Sequence, residues 1–270
     1  MSSKALIITG MHRSGTSLTA HYLNDCGIYI GDRLTSSDLD QSRGFYSGHH
    51  EDREFSDFHK SVLKQKGIDA FLGRRFSLPV QFKLPIRVSA EDRQTALNLV
   101  ASRADLPQWG WKDPRTSLFL DFWHSVLTDG SYLFLFRHPL AVVDSLIRRG
   151  AEKHIVRKPV IGLRVWKLYN QQVLQFWKQH QTVGLLCDID ELIRDPNAVR
   201  LYLQEKMNFQ LNPVPLDGIF KEQAFRTEYS PEMEQLKDKH PRELADCLSL
   251  YEEMRSLSNL KISNPELPVR

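Results

Sequence analysis

The stretch Ala5-Leu6-Ile7-Ile8-Thr9-Gly10-Met11-His12-Arg13-Ser14-Gly15-Thr16-Ser17 is followed directly by Leu18-Thr19-Ala20-His21-Tyr22-Leu23. It places a short apolar run, a loop bounded by two glycines and an amphipathic helix in that order. This is the strand–loop–helix order of a phosphate cradle. Backbone N–H groups of such a loop converge on an anion, and the helix N-terminus adds partial positive charge. The G-x-x-x-x-G spacing matches the nucleotide-binding P-loop, but Thr16 stands where that motif requires lysine. Arg13 enters the loop at another position, with a planar fork suited to oxyanions.

Working outward, Gly27 predicts the end of the first helix near Asp25. Ile28-Tyr29-Ile30 reads as a short strand or edge segment, and residues 31–48 as a polar, turn-rich loop. A helix is expected from about His49 to Leu63, with Phe55, Phe58 and Val62 or Leu63 at helical spacing. Residues 67–89 are irregular and proline-punctuated. The next helix is expected over Ala90–Ala104, with Ser89 as N-cap and Asp92 in the capping-box position.

The second half alternates more plainly. Gln108–Lys112 reads as a strand and Asp113-Pro114 as a cap with a first-turn proline. A helix with Leu118, Phe122 and Val126 on one face follows. Ser131–Phe136 is a strand, and Pro139 opens a helix running to Arg149. Residues 160–180 carry Val165, Trp166, Tyr169, Val173, Phe176 and Trp177 on one helical stripe. Thr182–Cys187 reads as a strand, Pro196–Met207 as a helix, and Pro231–Leu257 as helical; the last dozen residues read as a loose tail. Apolar strands alternating with helices predict an α/β protein, a three-layer α/β/α arrangement around a central parallel sheet. The chain reads as one domain over 1–270, with no internal repeat. Residues 31–107 read as an insertion, the expected site for a second ligand, and 226–270 as a C-terminal helical tail.

Composition narrows the class. In 270 residues the formal charge is only +3, too small to predict a nucleic-acid or membrane surface. No stretch reaches the roughly 18 apolar residues of a membrane helix. Three widely spaced cysteines, Cys26, Cys187 and Cys247, make neither a disulfide framework nor a metal pattern. The first strand opens close to Met1, which predicts no leader and a cytoplasmic protein.

Ligands of open parallel sheets gather beyond the carboxyl ends of the strands. That rule collects Gly10–Thr16, Lys112-Asp113, Arg137-His138 and Asp188. Here a family resemblance enters. Gly10–Ser17 resembles the 5′-phosphosulfate loop of sulfotransferases. Phe136-Arg137-His138-Pro139-Leu140-Ala141-Val142-Val143-Asp144-Ser145 resembles their 3′-phosphate segment. Trp111-Lys112-Asp113-Pro114-Arg115 is similar to a Lys-Asp-Pro element of bacterial and tyrosylprotein-type members. Ile189-Asp190-Glu191-Leu192-Ile193-Arg194-Asp195-Pro196 resembles a later element of theirs in which tyrosine stands at the Ile189 position. The resemblance spans residues 4 to about 226.

What it implies is a P-loop-like sulfotransferase fold. The activity is transfer of a sulfuryl group from 3′-phosphoadenosine-5′-phosphosulfate (PAPS) to a hydroxyl or amine, leaving adenosine 3′,5′-bisphosphate (PAP), with no metal required. Such a donor carries about four negative charges and needs several cationic or N–H partners. By motif matching, Gly10, His12, Arg13, Ser14, Gly15, Thr16 and Ser17 bind the 5′ side, and Arg137 and Ser145 the 3′-phosphate. Arg13 and Lys112 stabilise transferring charge, and Arg115 and Arg148 are secondary candidates. Asp113 reads first as a helix cap. The general base is sought in Gly44-Phe45-Tyr46-Ser47-Gly48-His49-His50-Glu51-Asp52, with Glu51 preferred and His50 second. The acceptor is left open among a small molecule, sugar, lipid head group or peptide. Two rivals stand. One is a P-loop kinase or NTPase using Asp188 for Mg²⁺; the other is a non-catalytic nucleotide-binding protein.

Overall fold

A computed structural model describes residues 3–34, 50–68, 86–215 and 229–260. Among these residues four strands make one sheet: β1 (Lys4–Thr9), β2 (Gln108–Lys112), β3 (Gly130–Phe136) and β4 (Gly184–Asp188). Their order is β2-β1-β3-β4 and every pairing is parallel, with Ile8 beside both Lys112 and Leu133, and Phe136 beside Asp188. The expected three-layer α/β/α architecture is the one adopted.

Side chains alternate across a strand, so a sheet covered on both sides needs apolar residues at every position. Ala5, Ile7, Trp109, Trp111, Tyr132, Phe134, Phe136 and Leu186 supply one face. It is covered by α2 (Arg53–Gln65), α4 (Leu120–Val126), α5 (Pro139–Arg149), α7 (Val160–Gln179), α10 (Pro231–Lys239) and α11 (Pro241–Leu257). Between these lie α3 (Ala90–Ala101) and the short α6 (Lys153–Arg157). Leu6, Ile8, Leu133, Leu135, Leu185 and Cys187 supply the other face, under α1 (Thr16–Asp25), α8 (Ile189–Arg194) and α9 (Pro196–Met207). The first core is aromatic: Phe55 stacks on Trp111 at 4.1 Å and 8°, and Trp123 packs 4.7 Å from Trp111. The second is mostly aliphatic.

Local chemistry accounts for most boundaries. Ser89 caps α3 by accepting from Asp92 N at 3.0 Å, and its hydroxyl donates to Asp92 Oδ2. The aspartate thus bonds the cap's side chain, in place of the backbone bond of a full capping box. The helix begun near His49 in the sequence reading starts at Arg53, because Asp52 Oδ1 accepts from Glu54 N and sets the cap there. The single helix expected after Asp113 is two pieces, a 3-10 turn over Pro114–Leu118 and then α4, broken at Phe119. Tyr29 forms one parallel bridge with Trp109 and then the chain turns at Gly31, whose φ is +124°, so no strand develops there. Strand β4 starts two residues later than expected, after a 3-10 turn over Gln181–Val183. A Cβ at Gly184 would meet Tyr132 O at 2.6 Å, so strand entry is a close backbone approach. Helices α6 and α8 went unread in the sequence.

Residues 35–49, 69–85, 216–228 and 261–270, which include most of the expected 31–48 and 67–89 loops and the final tail, lie outside the described residues. The helices after 226 bury Met233, Leu236, Leu244, Cys247, Leu250, Tyr251 and Met254 in the aromatic-side core. Among the described residues no helix is long and apolar enough to cross a membrane.

Candidate active site

In the strand order β2-β1-β3-β4 the chain leaves β1 in one direction and extends from β3 in the other. A crevice opens at the carboxyl ends of β1 and β3. The cradle lies there. Gly10 has φ +145°, and a Cβ on it would sit 2.0 Å from Leu135 O, so only glycine lets the loop cross β3 this closely. Arg13 also takes a left-handed φ of 68°. Gly15, with φ +83°, is the N-cap of α1 and has no side chain to close the first-turn N–H groups. Ile189 packs over it, and a Cβ at Gly15 would meet Ile189 Cδ1 at 2.2 Å. The position where the resemblance expects tyrosine therefore shapes the loop here.

Two motifs far apart in sequence meet at this loop. Arg13 Nε donates to Ser145 Oγ at 3.0 Å, and Arg137 Nη1 reaches Arg13 O at 3.5 Å. Trp166 Nε1 donates to Arg137 O at 3.0 Å and holds the end of β3. Burial lowers the Arg137 guanidinium from its ordinary value, with Asp190 opposing. Thr9 at the end of β1 donates to Asp113 O at 2.9 Å and lies 2.9 Å from Ser117 Oγ, tying cradle to β2. Thr16 and Ser14 are buried in the loop, and Ser17 is half-buried on the first helical turn.

The end of β2 carries a second, buried cluster. Lys112 Nζ donates to Glu51 Oε1 at 3.1 Å and Arg115 Nη1 to Glu51 Oε2 at 3.4 Å. Asp113 Oδ1 accepts from Arg115 N at 2.8 Å and from Arg115 Nη1 at 2.9 Å; Asp113 Oδ2 lies 3.0 Å from His59 Nδ1. Burial pushes the Lys112 ammonium down and Glu51 pulls it back. Burial would raise the Asp113 carboxyl, but Arg115 and then His59 outweigh it and hold it far below the usual carboxylate range. Burial would lower Arg115, but Asp113 and Glu51 hold it above its ordinary value.

The two histidine candidates separate. His12 lies in the cradle, its ring edge-on to Tyr169 at 6.2 Å, with Nε2 buried and no hydrogen-bond partner among the described residues. Burial, then the positive charge of Arg115, holds it well below its ordinary value, so it is neutral. His50 stacks on His21 of α1 at 4.8 Å, with a left-handed φ of 46°. It is Glu51, its neighbour, that meets Lys112. Of the secondary candidates, Arg115 is in the cluster, whereas Arg148 pairs with Asp144 at 2.9 Å.

Two participants escaped the sequence reading, which carried Arg115 as a secondary candidate. Tyr169, counted in an apolar stripe, is buried in the field of Arg115, Asp113 and Glu51. His59 is fully buried among Phe58, Phe119 and Trp123. Its signal was present: a polar residue on the Phe55–Phe58–Val62 stripe, two turns beyond Glu51.

No family model matches the chain, and neither does any curated protein. Among solved structures, it is similar to the sulfotransferase domain of the olefin synthase of Synechococcus PCC 7002. The two share 17% identity at a TM-score of 0.52, over 96% of each chain. It is similar also to the sulfotransferase STF9 of Mycobacterium avium, with 16% identity and a TM-score of 0.54, covering 96% of this chain and 77% of that one. At such identities the likeness is one of architecture, and the chain has the fold of these sulfotransferases.

Proposed function

We propose that this protein is a sulfotransferase that moves a sulfuryl group from PAPS to a hydroxyl or amine acceptor by in-line displacement. The observation that supports it most directly is the Arg13–Ser145–Arg137 convergence, which joins the 5′ and 3′ phosphate motifs at one crevice. The first-turn N–H groups behind Gly15, with no side chain capping them, and the buried Arg137 suit an anion larger than one phosphate. On this reading Gly10–Ser17 hold the 5′-phosphate, and Arg137 and Ser145 the 3′-phosphate. The neutral His12 lies beside the 5′ group. PAPS supplies the activated sulfuryl group and leaves as PAP.

The acceptor oxygen bonds to sulfur while the sulfur–oxygen bond to the 5′-phosphate breaks and the acceptor's proton passes to a base. Glu51 is assigned that proton. Its partner Lys112 then loses a counter-charge as negative charge builds on the leaving oxygen, so the ammonium is released to stabilise it. This coupling rests on the 3.1 Å Lys112–Glu51 contact. The free, buried thiols of Cys26, Cys187 and Cys247 suit a reducing, cytoplasmic setting.

The kinase or NTPase rival asks Asp188 to hold Mg²⁺. Both Asp188 oxygens are engaged in the fold, Oδ1 by Asp190 N at 3.0 Å and Oδ2 by the Tyr251 hydroxyl at 2.7 Å. Calorimetric titration with PAP and with ATP, each with and without Mg²⁺, tests the choice. PAP should bind without the metal. A protein that ignores PAP but binds and hydrolyses Mg-ATP would overturn the proposal, and PAP binding without transfer to any acceptor would favour the non-catalytic rival.

A further inference from the structure

We infer that His59 is a positioning residue of this site: through Asp113 and Arg115 it fixes the Glu51 carboxylate against Lys112. The catalytic consequence rests on the sulfuryl-transfer proposal; the geometry does not.

His59 sits on α2 with no exposed surface, inside an aromatic core that needs no polar group. A buried imidazole costs stability unless both nitrogens are satisfied, and here both are. Trp123 Nε1 donates to His59 Nε2 at 2.8 Å. An indole nitrogen is a donor only, so Nε2 is unprotonated and the ring proton lies on Nδ1. Nδ1 then donates to Asp113 Oδ2 at 3.0 Å. The other Asp113 oxygen takes both Arg115 bonds, so the carboxylate has no freedom to rotate. Arg115, held in this way, reaches Glu51 Oε2, and Lys112 takes Oε1.

The chain of bonds therefore runs from Trp123 through His59, Asp113 and Arg115 to Glu51. It also docks α2 at two levels. Glu51, just before the Asp52 cap, meets β2 at the helix entry, and His59 meets Asp113 two turns on. Apolar contacts alone tolerate sliding and rotation of a helix, whereas directional polar contacts set its register. The 3.4 Å bond between Arg115 and Glu51 is long, so its upkeep depends on Asp113 holding the guanidinium still.

Two readouts need no substrate. Imidazole nitrogen NMR of the wild-type protein should show His59 as the neutral, Nδ1-protonated tautomer. The carboxyl carbon resonance of Glu51, assigned with Glu51→Gln, should move in His59→Leu and return to its wild-type position in His59→Asn, whose amide places an N–H near the lost Nδ1–H. PAP affinity should stay within about threefold of wild type in both variants, because Arg13, Arg137 and Ser145 are untouched. In turnover of PAPS with 4-nitrophenol, kcat for His59→Leu should fall on the order of 10²-fold with the KM for PAPS little changed, since a misplacement of about 1 Å can cost that much. The Asn variant should recover most of it. An Nε2-protonated ring, an unmoved Glu51 resonance in His59→Leu, or an Asn variant no better than Leu would each overturn the inference. Should His59→Leu fail to fold, the wild-type tautomer and the Asn variant decide it. Absence of PAP binding by the wild type would instead refute the sulfuryl-transfer proposal and leave the tautomer test standing.

Discussion

At the scale of single residues, two arginines stand where the proposed function puts the two ends of the donor. Arg13 is drawn into the crevice by Ser145, and Arg137 is buried beside the Arg13 carbonyl, its charge disfavoured by that burial. A buried guanidinium that meets a phosphate dianion gains a charge-assisted, bidentate contact. Arg13→Ala and Arg137→Ala should each weaken PAP about tenfold or more, roughly 1.4 kcal/mol per decade, in calorimetric titration. Unchanged affinity in a folded Arg137→Ala protein would withdraw its assignment to the 3′-phosphate. Both candidates were legible in the sequence because Arg13 lies in the glycine-bounded loop between β1 and α1 and Arg137 directly follows β3 ahead of α5. His59 and Tyr169 were not, because a polar group on an apolar stripe reveals its partners only when the facing elements are known.

At the scale of elements, the end of β4 joins three parts of the fold. Asp188 caps α8 through Asp190 N and accepts from Tyr251 of α11, with little solvent around it. Burial, reinforced by Asp190, raises its carboxyl from 3.8 to about 6, while the Tyr251 bond opposes the rise. The folded protein thus holds this proton more tightly than the unfolded chain. The contribution is fully present below about pH 4 and is lost as pH climbs to about 6, a change of about 3 kcal/mol. Asp188→Asn keeps an acceptor for Asp190 N and an amide for the Tyr251 oxygen, but does not titrate. Urea denaturation from pH 4 to 7 should show the variant gaining stability relative to wild type across that window. Parallel pH profiles would remove Asp188 as the cause. The helix expected after Asp113 shows the opposite limit on sequence reading. The Leu118–Phe122–Val126 spacing suits one helix, yet the chain breaks at Phe119, whose ring packs 5.0 Å from His59. Tertiary packing there overrides a local period.

At the scale of the whole molecule, α11 belongs to the layer that closes the aromatic face. Leu244, Cys247, Leu250, Tyr251 and Met254 are buried, and three salt bridges link α11 to α7: Glu243–Arg164, Asp246–Lys167 and Glu253–Lys178. The ion pairs are exposed and contribute little. The apolar residues count for more. Full burial of a large apolar side chain contributes about 1.5–3 kcal/mol, and a domain's net stability is only about 5–15 kcal/mol. A chain ending before Pro241 should therefore lose cooperative unfolding and its near-ultraviolet circular dichroism. A soluble truncated protein with native dichroism and intact PAP binding would show that α11 is dispensable.

The sequence by itself determined the cradle, the layered α/β architecture and the identity of most donor-binding candidates. These depend on local signals: apolar runs, glycines where φ must be positive, and caps beside prolines. Only the tertiary structure decided which candidates meet. Glu51 and Lys112 are far apart along the chain, and so are Arg13 and Ser145. They meet because α2 and α5 pack over the carboxyl ends of β2 and β1, and that packing between faces is encoded by no local pattern of residues.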